Sequence, residues 1–211
     1  MRRVLTFAIL AAAVALGSPA AAQQQRPLSP AGSASAMVGG EWVKNDRGNM
    51  VYQGGKWIEV TYSRPMLRQR DNIFGTGAEY GKTVLAGSPV WRLGANQTTR
   101  IKTEVPLMFG DKKLPAGEYS MFVDLKEGAW TLIFSNWPAQ ETYDPDNKEA
   151  LWGSYGYTPE KDVIRVPMNH TTNNASVDQL TILFADVTKN SGTLAILWEH
   201  TIATAPFTVG M

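Results

Sequence analysis

Trp57-Ile58-Glu59-Val60-Thr61-Tyr62 alternates with a period of two, so Ile58, Val60 and Tyr62 fall on one face. That pattern is a half-buried β-strand. Ahead of it, Met50-Val51-Tyr52 and the pair Gly54-Gly55 predict a hairpin turn at the glycines. The same period returns downstream. Residues 98–104 place Thr99, Ile101 and Thr103 on one face, and residues 118–125 and 129–135 form a pair around Lys126-Glu127-Gly128. Residues 162–166, 179–187, 193–199 and 203–209 complete the set, with Asn190-Ser191-Gly192 marking a turn. No stretch after residue 40 carries a helical stripe, although residues 146–151 allow a single helical turn. Many short strands punctuated by Gly, Pro and Asn predict an all-β fold. With no internal repeat, the expected architecture is one domain: a two-sheet antiparallel β-sandwich, of which a jelly roll is one arrangement.

The start of the chain reads differently. Met1-Arg2-Arg3 is followed by an apolar run over residues 4–16, a break at Gly17-Ser18-Pro19, and Ala20-Ala21-Ala22. Basic, apolar and small-residue segments in that order predict a signal peptide over 1–22, and the apolar run is shorter than the roughly 20 residues that span a bilayer. Residues 23–40, rich in Gln, Ser, Ala, Gly and Pro, read as a flexible leader, and the folded domain is expected over 41–211. The expected location is periplasmic or extracellular, with no membrane insertion after cleavage. The 211 residues contain no cysteine, so neither disulfides nor a lipidated cysteine is available. Removal of 22 residues leaves 189 of 211, enough for one core. The signal peptide takes two of the 20 Lys and Arg with it, so 18 then stand against 19 Asp and Glu, a balance that does not suit nucleic acid.

Recognisable catalytic patterns are missing: there is no Gly-x-Ser-x-Gly elbow, Ser-x-x-Lys pair, phosphate loop or dinucleotide fingerprint. His170 and His200 are the two histidines, with no second histidine at ligand spacing. Asp144-Pro145-Asp146-Asn147-Lys148-Glu149 clusters oxygen ligands but lacks the glycine and order of a calcium loop. A solvated acidic turn is the simpler reading, and neither a metal nor a cofactor is expected.

Two long irregular stretches, 63–89 and 136–159, hold the candidate site, since long loops in compact domains are often functional. Tyr62, Arg64, Arg70, Arg92 and Asn96 gather polar and cationic groups, and a guanidinium fork suits anions. The competing reading is that Arg64, Arg70 and Arg92 pair with acids such as Glu199 and pin the loops. Trp137 and Trp152 lie in the second stretch beside Tyr143, Tyr155 and Tyr157, where aromatics either stack on sugar rings or cover the end of the sandwich.

Read as an ordered set, Tyr62-Ser63-Arg64-Pro65, Ile73-Phe74-Gly75, Trp91-Arg92-Leu93-Gly94-Ala95-Asn96, Leu114-Pro115-Ala116-Gly117-Glu118-Tyr119, Trp130-Thr131-Leu132-Ile133-Phe134 and Leu197-Trp198-Glu199 resemble a bacterial family known as domain of unknown function 2911. The resemblance covers about residues 50–209. It implies secretion and a compact domain, and carries no activity or catalytic residue with it. Residues 76–82 stand where the family has a short plain loop.

The leading expectation is therefore an exported small-molecule-binding module of the cell envelope, with an anionic or sugar-like ligand. A hydrolase or lyase using Glu199, His200, Asp162 and Tyr62 is one alternative. A structural or partner-binding envelope protein is the other, to be recognised by an exposed apolar patch.

Overall fold

A computed structural model describes residues 27–210. The expected signal peptide lies outside the described residues. Ten strands carry the fold: β1 Ala31–Lys44, β2 Met50–Ser63, β3 Thr99–Thr103, β4 Leu107–Phe109, β5 Lys112–Leu114, β6 Gly117–Asp124, β7 Thr131–Ser135, β8 Asp162–Pro167, β9 Asn169–Ala185 and β10 Ser191–Val209. They form two antiparallel sheets, ordered β1-β2-β3-β6-β7-β8 and β5-β4-β10-β9. The six-stranded sheet is two meanders, β1-β2-β3 and β6-β7-β8, joined by the β4–β5 excursion into the second sheet.

Between the sheets lies an apolar core. Ile58, Val60 and Tyr62 of β2 point into it, as the alternation requires, with Ile101, Met121, Val123, Leu132 and Phe134 from neighbouring strands. Leu180, Ile182, Leu194 and Ile196 answer from β9 and β10. Phe122 and Ile133 face the other way and are nevertheless fully buried. They pack with Val90, Leu151 and Tyr157, and half-buried Trp137 joins them. The 136–159 stretch thus covers the outer face of β6 and β7, which explains why these strands read as near-continuous apolar runs.

The structure corrects three expectations. The flexible leader does not extend to residue 40: residues 31–40 belong to β1, which buries Ala36 and Val38. Its Ala, Ser and Gly content hid a strand that is built to fit a close neighbour rather than to bury bulk. Gly54-Gly55 is not the hairpin turn. The chain reverses at residues 45–49, where Asn45 and Asn49 are joined by a backbone hydrogen bond of 2.9 Å, and the glycines lie inside β2 opposite Gly39 and Gly40 of β1. Residues 146–151 form no helical turn. The Asn147 side chain takes the backbone N–H groups of Glu149 and Ala150 there, at 3.0 and 3.2 Å, so local side-chain bonding replaces helix. Among the described residues the one short α-helix, α1, is Lys82–Leu85 in the first long stretch, preceded by a 3-10 turn at Gly77–Glu79.

Candidate functional site

The first long stretch is pinned to the sandwich by the motif residues themselves. Phe74 inserts among Trp91, Trp130 and Trp198, with ring centroids 5.6, 4.8 and 5.9 Å away in edge-to-face contacts. Trp91 also stacks on Trp198 at 6.0 Å, and its backbone pairs with Val123 through two bonds of 2.8 and 2.9 Å. Trp130 donates its indole N–H to the Tyr80 hydroxyl at 2.6 Å. Glu199 closes the assembly: its carboxylate accepts the backbone N–H of Asn72, and that of Ile73 at 3.1 Å.

The predicted rim of arginines is therefore largely structural. Arg64 donates to the Leu180 carbonyl and the Thr181 hydroxyl, both at 3.4 Å. Arg70 turns back onto the carbonyls of Leu67 and Met66, at 2.8 and 2.7 Å. Arg92 donates to the Asn96 carbonyl at 3.2 Å and lies 4.9 Å from the centre of the Tyr155 ring. The expectation that these arginines pair with acids is corrected: each is held by carbonyls. A guanidinium with five donors satisfies several such acceptors at once, in the loops for Arg70 and Arg92 and on β9 for Arg64. Nor do the three share a partner. Tyr62 is an inter-sheet tie, its hydroxyl accepting the Ile182 N–H at 2.9 Å.

The acid–base candidates are likewise dispersed. Glu199 serves the Asn72–Ile73 turn, and exposed His200 meets the Asn173 carbonyl through Nδ1 at 2.9 Å. Asp162 joins a separate network, accepting from Tyr157 at 2.7 Å and Arg165 at 2.8 Å, while Arg165 reaches Asp124 at 2.8 Å. Burial, together with the hydrogen bond to Asp162 and that carboxylate's charge, pushes the Tyr157 hydroxyl far above its ordinary pKa. Among the described residues no group of three or more His, Cys, Asp or Glu is placed to hold a metal ion.

A concave site remains in the second long stretch. The loop is fixed by an isolated parallel bridge between Ala139 and Leu151. The buried Thr98 hydroxyl bonds the carbonyls of Leu151 and Gly153, at 3.0 and 2.8 Å, and the Gln140 amide bonds those of Asn147 and Ala150. Between these ties opens a cavity of about 390 Å³ whose wall includes Tyr143, Trp152 and Tyr155 together with Asp144, Asn147 and Lys148. Tyr143 and Trp152 lie 5.7 Å apart, and Tyr143 and Tyr155 are 58% and 53% exposed. Beneath them, Gly153 adopts φ +64°, and a Cβ there would meet the Arg92 guanidinium at 2.5 Å. That close approach lets Arg92 lie under Tyr155.

Of the predicted site residues, Trp152 lines this cavity and Arg92 backs its wall. Exposed Asn96 contributes the carbonyl that holds Arg92. Trp137 does not line it: its ring covers Phe122 and Ile133, its N–H is spent on the Thr158 carbonyl at 2.9 Å, and Lys161 lies 3.8 Å from its ring centre. Arg64, Arg70, Tyr62 and Glu199 contribute nothing to its wall. Tyr143 and Tyr155 were the better candidates; their signal was their place in an irregular stretch with no apolar alternation to bury them.

A family model described as Protein of unknown function (DUF2911) matches residues 46–207. No curated protein and no solved structure matches the chain.

Proposed function

The chain belongs to the DUF2911 family, and from that premise we propose that it is a binding module for a sugar-like ligand held in the 136–159 loop cavity. The observation that carries this reading is the open aromatic wall: Tyr143, Trp152 and Tyr155 around about 390 Å³, with an acid, an amide and an amine on the same rim. Aromatic faces take the apolar faces of sugar rings, and mixed polar groups take their hydroxyls. Of the two ligand classes expected, the sugar-like one is favoured over the anionic one, because none of Arg64, Arg70 and Arg92 lines this cavity. The acid–base alternative lacks geometric support, since Glu199, His200, Asp162 and Tyr62 each have a different partner. The basic and apolar start of the chain supports an exported, envelope location.

The test is tryptophan fluorescence titration of the folded protein with a panel of neutral sugars. Saturable quenching that disappears in Trp152→Ala and weakens in Tyr143→Ala is expected. Quenching that survives Trp152→Ala would place the ligand elsewhere.

A second reading has its own observation. Beyond Ile58, β1 and β2 pair chiefly with each other as a projecting ribbon, and Trp42, Met50 and Trp57 on it are 65%, 52% and 42% exposed. Such a surface suits a partner-binding envelope protein. Trp42→Ser with Tyr52→Ser should abolish any partner association while leaving sugar binding unchanged.

A further inference from the structure

We propose that the ligand of this module is a linear oligosaccharide rather than a single sugar, and that it continues from the aromatic cavity across the outer face of the six-stranded sheet. This rests on the reading of the aromatic cavity as a sugar site. Two further depressions lie on that face, of about 320 and 230 Å³. They share Ser33, Thr61 and Arg100, so they form one continuous groove.

The floor follows from strand register. Ser33 pairs with Thr61 and Thr61 with Arg100; alongside, Ser35 pairs with Glu59, Glu59 with Lys102 and Lys102 with Glu118. Residues directly opposite on paired strands share a face, so one polar row crosses β1, β2 and β3 and a second reaches β6. Short Ser and Thr side chains on β1 and β2 leave the surface low, and Arg100, Lys102 and Glu118 rise as a wall. Along β1 the lining runs from Ala31 to Ser35, four residue steps or roughly 13 Å, more than one sugar ring occupies. Hydroxyl, carboxylate and cationic groups alternate along it, a lining suited to many hydroxyls and to no single net charge.

Glu141 joins groove to cavity. Its carboxylate is paired with Arg100 and its carbonyl takes the Gln97 side chain at 2.9 Å, and both of those residues line the groove. On its other side its neighbours Gln140 and Tyr143 line the aromatic cavity. A chain seated on Trp152 and Tyr143 therefore has a continuous polar path over Glu141 onto the sheet.

The experiment is isothermal titration of the folded protein with glucose and N-acetylglucosamine and with their β-1,4-linked dimers and tetramers. Affinity is expected to rise at least about tenfold from monomer to tetramer, which corresponds to about 1.4 kcal/mol. Ser33→Arg lays a long side chain across the exposed groove floor at a position outside the core. It should return the tetramer to the monomer's affinity and leave the monomer unaffected, whereas Trp152→Ala should weaken both. Monomer and tetramer of equal affinity, both lost in Trp152→Ala, would overturn the extended site and leave the aromatic cavity standing. Binding of neither series would overturn both.

Discussion

Glu199 occupies a left-handed backbone position, φ 54°, between two register shifts of the β9–β10 ladder. A non-glycine residue is held in that region only when its surroundings demand it. Here the demand is visible: the bulge aims the carboxylate at two N–H groups of the Asn72–Ile73 turn, and that turn delivers Phe74 into the tryptophan cluster. Glu199→Ala leaves two amides without their acceptor and should cost about 1–3 kcal/mol in urea unfolding, with Glu199→Gln costing less. Tyr157 gives a second residue-scale prediction. Its folded pKa is raised, so its contribution to stability is complete below the unfolded tyrosine value, near 10, and is lost as pH climbs from there through the folded value. Thermal melts above pH about 10 should therefore fall more steeply for the native protein than for Tyr157→Phe. The sequence offers Glu199 as an acid–base group or as a partner for the loop arginines. Its partner is an amide pair more than a hundred residues upstream, which no local pattern displays.

The ribbon at the ends of β1 and β2 shows the same contrast for an element. Two glycine pairs face each other across the ladder, and a two-residue glycine step flanked by β-formers is the usual mark of a tight turn. Their real use is a close approach. Gly40 has φ +64°, and a Cβ there would meet the Tyr52 ring at 2.6 Å and the Gln53 carbonyl at 2.8 Å. Tyr52 lies across the glycines and donates its hydroxyl to the Gly39 carbonyl. Gly40→Ala should thus cost more than the ~1–2 kcal/mol of the left-handed backbone alone. Gly48→Ala, at the open turn where no atom lies within 4 Å of the new Cβ, should cost only that backbone term. Urea unfolding of the two variants side by side checks it. Residues 57–62 of β2, together with β3, β6, β7, β8, β10 and the second half of β9, were legible because their apolar residues mark the faces of the pleat. By contrast, β4, β5 and residues 169–178 of β9 offer too few alternating apolar positions to be read as strand. β1 was not legible either, because Ala, Ser and Gly carry almost no hydrophobic signal, and its place is fixed by its partner β2 rather than by its own pattern.

For the whole molecule, the decisive feature is that one sheet is covered on both sides at β6 and β7. Its inner face packs on β4, β9 and β10, and its outer face packs under the 136–159 loop through Phe122, Ile133, Leu151 and Tyr157. The loop that carries the aromatic cavity is thus a second layer of the fold, and its geometry depends on the small cluster beneath it. The sandwich itself was readable from the periodicity of the strands that carry bulky apolar residues. The site was readable only as two stretches lacking periodicity, because which loop closes on a cluster and which opens a cavity depends on contacts between distant strands. Phe74 and Phe122 separate the two layers experimentally. Each is a buried phenylalanine whose truncation to alanine should cost about 3–5 kcal/mol, but they belong to clusters that share no side chain. Phe122→Ala removes the floor under Leu151 and Tyr157 and should weaken sugar binding along with stability. Phe74→Ala should lower stability by a similar amount and leave affinity intact under conditions where the protein remains folded. Equal loss of affinity in both variants would mean that binding tracks global stability, and the loop layer would then have no separate role in shaping the cavity.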